Sequence, residues 1–175
     1  MARAPKHSAE ARADKLLTSL GIDGIPVPVD KIAKALGARV RYSVLDEELS
    51  GFVYIKDGVP IIGINALHHP NRQRFTLAHE IAHLQLHRKF ITDAVHVDKQ
   101  FAESILKRDI SSATGTGRLE VEANKFAAAL LMPGDILDAF LRGSPVDVED
   151  ETSIEHWAKE FVVSKAALQY RIRNL

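Results

Sequence analysis

A chain of 175 residues, 46% of them hydrophobic, can bury a sizeable core as one compact domain with at most a small appendage. Lysine plus arginine equals aspartate plus glutamate at 23 each, which excludes the overall basic field of a typical nucleic-acid binder. The absence of cysteine excludes disulfides and thiolate metal ligands. No apolar run approaches the roughly 20 residues that span a bilayer, and the N-terminal segment lacks a signal-peptide core, so a cytoplasmic protein without membrane contact is expected.

Residues 1–8 read as a mobile basic tail. Residues 9–20 predict a helix closed by Gly21. Residues 29–36, apolar at Val29, Ile32, Ala33 and Leu36, predict a second closed by Gly37. Residues 38–44 are strand-like. Two further strands, 51–55 and 59–64, flank Lys56-Asp57-Gly58, where the Asp-Gly pair favours a tight hairpin. A small antiparallel sheet is expected, whose edge could hold an extended peptide as an added strand.

Residues 71–88 follow Pro70, a residue suited to a first helical turn, and contain no further proline and no glycine, so they predict one continuous helix. Phe75, Leu77, Ala78, Ile81, Ala82, Leu84 and Leu86 cover most of its circumference, and the helix should be buried almost all round. Arg72, Thr76, His79, Glu80, His83 and His87 form one polar arc on this otherwise apolar rod. Within the arc, His79-Glu80-Ile81-Ala82-His83 has the HExxH spacing, in which two imidazoles four residues apart grip one zinc ion and the intervening carboxylate handles a proton. Buried polar groups need partners, and a metal would supply one. His87 lies about 12 Å along the axis from His79, too far to share an ion with it. It is expected at the helix end, behind the ligands, so a third ligand must come from elsewhere.

Residues 89–117 are the least regular segment, with strand character at 94–97, a helical pattern at 101–107 and a flexible serine- and glycine-rich stretch at 111–117. Residues 118–132 are again helical, stopping before Pro133-Gly134. The helical wheel sets Glu122 beside Arg118, Lys125 and Ala129 on a wet side, and Glu120 among Leu119, Ala123, Ala127, Leu130 and Leu131. Glu120 is therefore the candidate third ligand. Asn124, one turn later, is placed to hydrogen-bond the carboxylate or the far nitrogen of a ligating histidine.

A short helix is expected at 135–142, then an acidic break. The stripe Ile154, Trp157, Ala158, Phe161 and a second helix capped by Ser164 follow, in the order of a helix-turn-helix unit with Lys165, Gln169, Tyr170, Arg171 and Arg173 outward. Neutral overall charge and a short turn without glycine favour packing on the core or on a partner over DNA contact, so nucleic acid is not expected as a partner.

The blocks Arg72-Gln73-Arg74-Phe75-Thr76-Leu77-Ala78 leading into the HExxH motif, Glu120, Ala123-Asn124, Phe126-Ala127-Ala128 and Leu130-Leu131-Met132-Pro133 resemble the ImmA/IrrE metallopeptidases. Leu49-Ser50-Gly51-Phe52 and Ile64-Asn65 resemble the family's strand segments. The resemblance implies a gluzincin-like site with His79, His83 and Glu120 as ligands, Glu80 as catalytic residue, and Asn124 and His87 around them. It also implies a protein substrate, a helix-turn-helix repressor of a mobile element or stress response. The expected fold is α+β, a mainly helical zincin-like core with a small antiparallel sheet (residues 1–145) and a helix-turn-helix-like C-terminal region (146–175). The cofactor expected is Zn2+, with Mn2+ as the alternative in the cell. Tyr54, His68, His69 and Arg74 are candidates to stabilise an oxyanion. Two functions remain in view: a zinc endopeptidase acting on a cytosolic regulator, and a non-hydrolytic protein with a structural metal that antagonises a repressor by binding.

Overall fold

A computed structural model of the chain describes residues 8–92, 116–143 and 151–175. The expected tail at 1–8 apart from Ser8, the strand at 94–97, the helix at 101–107, most of the 111–117 stretch and the acidic break at 147–151 apart from Glu151 lie outside these residues.

Helix α1 (Ala9–Ser19) starts where Ser8 Oγ accepts from the backbone N–H of Ala11, and buries Ala13, Leu16 and Leu17. It ends as expected at Gly21, whose φ of 65° only a residue without a Cβ adopts readily, with the Ile22 N–H donating back to Leu17 O. Helix α2 (Val29–Ala35) buries Val29, Ile32 and Ala33 and closes in the same way at Gly37.

The sheet has three strands, β1 (Arg39–Ser43), β2 (Gly51–Lys56) and β3 (Val59–Asn65), in the order β1-β3-β2. Asp57 and Gly58, both at positive φ, make the expected hairpin between β2 and β3, with Lys56 opposite Val59. The sheet is mixed and not the antiparallel one anticipated, because β1 pairs with β3 in parallel, Arg39 opposite Ile61. The chain runs up, down and up, and β3 inserts between the two strands that oppose each other. Behind β3 the fully buried Asn65 side chain ties down the returning loop, donating to Leu49 O at 2.9 Å and accepting from Leu67 N at 3.1 Å.

Helix α3 (Pro70–Leu86) packs against β2 and β3 on one side and on the other against α5 (Thr116–Leu131). Its burial nearly all round agrees with the wheel, Leu77, Ala78, Ile81, Ala82 and Leu84 being enclosed. It ends two residues earlier than expected, at Leu86, with His87 as cap and a short α4 (Arg88–Thr92) beyond. Gly51 lets the start of β2 lie close against α3. A methyl group there would come within 2.8 Å of the Gly63 carbonyl oxygen and 2.5 Å of the Thr76 methyl. Gly51→Ala should therefore destabilise the fold by about 1–3 kcal/mol, seen as a lower urea midpoint at unchanged slope.

The second half of α5 is buried on every side, including Ala129, which the wheel had put on the wet face. Helix α1 packs along it, and the C-terminal helices α6 (Gly134–Gly143), α7 (Glu151–Phe161) and α8 (Lys165–Arg173) join the same core. Phe140 of α6 meets Trp157 edge-on and lies 5.5 Å from Phe161, between ring centroids. Ser164 caps α8 as anticipated. Arg171 is not outward: it is buried, and its Nε donates to Met132 O at 3.3 Å. The turn between α7 and α8 is held to α3 by Asn71 Nδ2 donating to Val163 O and Arg74 Nε to Val162 O.

Candidate metal centre

His79 and His83 project from successive turns of α3 toward the N-terminal half of α5, where Glu120 meets both. Their Nε2 atoms are 3.0 Å apart, and the Glu120 oxygens lie 3.0 Å from His79 Nε2 and 3.3 Å from His83 Nε2. The Oε2 oxygen of Glu120 faces His79 and the Oε1 oxygen faces His83, so the two nitrogens and the carboxylate meet at spacings close to the roughly 3.4 Å edge of a tetrahedral zinc site with bonds near 2.0–2.1 Å. Among the described residues this is the group of three or more histidine or acidic side chains that could hold a metal. Glu120 was expected to face inward among apolar residues; 41% of its side chain is exposed, so it approaches the rings from the lip of the site.

The outer nitrogens decide what the inner ones can do. His79 Nδ1 lies 2.9 Å from Asn124 Oδ1, an acceptor, so it carries the proton. His83 Nδ1 lies 3.0 Å from His87 Nδ1, and His87 Nε2 lies 3.2 Å from Glu122 Oε2. Since the carboxylate only accepts, His87 carries its proton on Nε2 and offers a bare Nδ1, which fixes the proton of His83 on Nδ1. Both Nε2 lone pairs then point at each other and at a carboxylate. That donor set is repulsive alone and suits a cation.

The electrostatics run the same way. Burial disfavours a charged His79, yet the hydrogen bond to Glu120 and the nearby charges of Glu80 and Glu120 outweigh it and raise the pKa. Glu120 is pushed up by burial and pulled further down by the adjacent imidazoles of His79 and His83, ending well below the ordinary carboxylate range. A site that favours positive charge on His79 and negative charge on Glu120 also favours a divalent ion. Burial and the neighbouring His83 hold the His87 pKa below its usual value despite Glu122, in keeping with a neutral ring. The Glu122 carboxyl is lowered by His87 and then by Arg118, whose Nε donates to it at 3.1 Å.

Glu80 is buried one residue from His79 on the same helix. Sequence reasoning missed Glu122, set aside as a wet surface residue; the signal was His87 itself, which needs an acceptor once its other nitrogen faces His83. Of the four oxyanion candidates, Arg74 is engaged by Val162 O and Val27 O, and His69 caps α3 by accepting from Asn71 N. His68 Nε2 lies beside Glu47 O and Tyr54 stacks on Phe52.

Among the described residues no helix is long and apolar enough to cross a membrane. A search of curated proteins finds no match. The fold is similar to that of a solved Mycobacterium tuberculosis transcriptional regulator, with a TM-score of 0.63 at 17% identity over 94% of this chain. The chain spans 55% of that protein's length, so the likeness speaks for the fold alone. The family model of Peptidase M78, described as the IrrE N-terminal-like domain, matches residues 33–173, a span that holds the motif helix, Glu120 and the C-terminal helices. The chain therefore belongs to this IrrE-like peptidase family, the one its motif blocks resemble.

Proposed function

We propose that the protein is a zinc-dependent endopeptidase of the cytoplasm that cuts one specific regulator, a helix-turn-helix repressor being the expected substrate class. The observation that carries this reading is the convergence of His79, His83 and Glu120, whose ligand atoms lie within 4.8 Å of one another, with Glu80 buried on the same helix. Family membership supports peptidase chemistry.

In this reading His79 and His83 hold the ion through Nε2 and Glu120 through its carboxylate. When bound, zinc, or manganese in its place, supplies Lewis acidity toward the peptide carbonyl and lowers the pKa of water toward about 7. Glu80 takes the proton of the attacking water and returns it to the leaving amine. Asn124 and His87 keep both imidazoles in the ligating tautomer, and Glu122 keeps His87 in its own. Two predictions separate the charge of Glu122 from its hydrogen bond. Glu122→Ala should weaken zinc binding roughly 10- to 100-fold, read by competition with a chelator. Glu122→Gln, whose amide oxygen still accepts from His87, should lose much less.

The other reading is a protein that antagonises a repressor by association around a structural metal. Structural zinc sites close with four protein ligands, whereas three converge here among the described residues. The test is incubation of zinc- or manganese-loaded protein with purified repressors and mass measurement of the products. Discrete fragments that vanish with chelator and return with metal are expected. A stable complex with an intact repressor would leave the association reading in place.

A further inference from the structure

The two faces of the sheet differ. Val53, Ile55, Ile62 and Ile64 point into the core, toward α3 and the metal centre, and are buried. On the opposite face the strand register sets Arg39, Ile61 and Tyr54 in one row, Arg41, Gly63 and Phe52 in the next, and Lys56 at the hairpin end. Arg39, Arg41 and Lys56 are exposed, and Phe52, Tyr54 and Ile61 are partly so. Phe52 and Tyr54, two positions apart on β2, have ring centroids 5.9 Å apart and planes 26° from parallel. Gly63 makes room for this pair: a methyl group there would collide with the Phe52 ring, which reaches over β3.

No acidic side chain stands in these rows, so a chain of zero net charge carries a local patch of three cations around two aromatic rings. Each row joins one aromatic on β2 to one arginine on β1 across β3, two strand spacings or about 9–10 Å apart. The flexible arginine side chain covers part of that distance. A planar group stacked on a ring therefore has an anion bonded to it within reach of a guanidinium.

We propose that the outer face of the sheet binds a short stretch of single-stranded nucleic acid, its bases stacked on Phe52 and Tyr54 and its phosphates held by Arg39, Arg41 and Lys56. Unpaired bases offer the flat faces that near-parallel rings on an open sheet accept, whereas a duplex keeps its bases stacked on one another. An acidic peptide would use the cations and leave the rings idle. The loop that follows β1 carries Asp46, Glu47 and Glu48 beyond the Arg41 row and repels a longer strand, which limits the footprint to about two or three nucleotides. Nucleic acid, not expected from the overall charge, is thus assigned to a surface where the charge is local. The inference goes beyond the peptidase reading and does not depend on it, because neither the ion nor Glu80 takes part.

The test is fluorescence anisotropy of fluorescein-labelled octathymidylate with the full chain at about 50 mM salt, where a dissociation constant on the order of 10⁻⁵ M is expected, the same with and without zinc. An abasic oligomer of equal length, which keeps the phosphates and lacks the bases, and a duplex of the same sequence should each bind roughly 10-fold weaker or less tightly still. Tyr54→Leu should weaken octathymidylate binding about 10-fold at an unchanged thermal midpoint, and Phe52→Leu should do the same if it folds. Arg41→Ala should weaken it too and lower the slope of log affinity against log salt by about 0.7. Equal affinity for the abasic oligomer overturns the stacking surface, and so does binding that none of these variants changes, which would place the strand elsewhere on the chain. Displacement of octathymidylate by an equal concentration of octaglutamate assigns the face to an acidic protein segment instead. No binding at protein concentrations of about 1 mM removes the proposal. Failure to cleave any regulator removes the peptidase reading and leaves this surface standing.

Discussion

Glu80→Gln is expected to keep one metal ion per chain and an unchanged thermal midpoint in the loaded state, while cleavage of the regulator falls by about 10²- to 10⁴-fold. Glutamine matches glutamate in size and keeps an acceptor, so a side chain with 7% exposure is replaced without opening a cavity. What it lacks is the capacity to take a proton. His79, His83 and Glu120 are untouched, and Asn124 and His87 still orient the rings, so a loss of metal would not be the cause of lost activity. The result separates the two functions in view, because a docking protein with a structural ion has no use for a proton acceptor at this position. If the variant still cuts at the wild-type rate, Glu80 is not the base and the proposed mechanism falls. If the wild-type chain cuts nothing and both forms silence the repressor equally, the protein acts by association.

How much of this was legible in the sequence follows the range of the interactions. The motif helix was readable because a continuous apolar pattern and a four-residue histidine spacing are local, and α3 carries both with only its last turn displaced. The Asp57-Gly58 hairpin was readable for the same reason, its turn needing two residues at positive φ. The direction of β1 was not, since its pairing with β3 joins residues some twenty positions apart and no local signal distinguishes it from an antiparallel neighbour. Ala129 and Arg171 show the same limit on helices: a wheel tells which face is apolar, while what covers the other face is set by α1 and the C-terminal helices. Glu120 and Asn124 were identifiable from one helix face. Glu122 was not, because its partner His87 belongs to another helix 35 positions away.

Glu120→Ala should be the most damaging single change to metal binding. It removes the one ligand contributed by α5, and two imidazoles on one helix cannot complete a site by themselves. The expected loss of affinity is on the order of 10³-fold, beyond the 10–100-fold typical of an outer hydrogen-bond partner. Thermal unfolding reads this directly. At free zinc near 100 times its dissociation constant, the wild-type chain gains about 2.7 kcal/mol, which for a protein of this size raises the midpoint by roughly 5–10 °C. The Glu120→Ala chain at the same zinc concentration should show almost no shift, while Glu122→Ala falls between the two. Without metal, Glu120→Ala should unfold within a few degrees of wild type, because the carboxylate is 41% exposed and its bonds to the histidines gain little in contact with water. That contrast is what a ligand predicts. An equal drop with and without zinc would assign Glu120 to the packing of α3 on α5, and a full zinc shift in the variant would move the third ligand elsewhere in the chain.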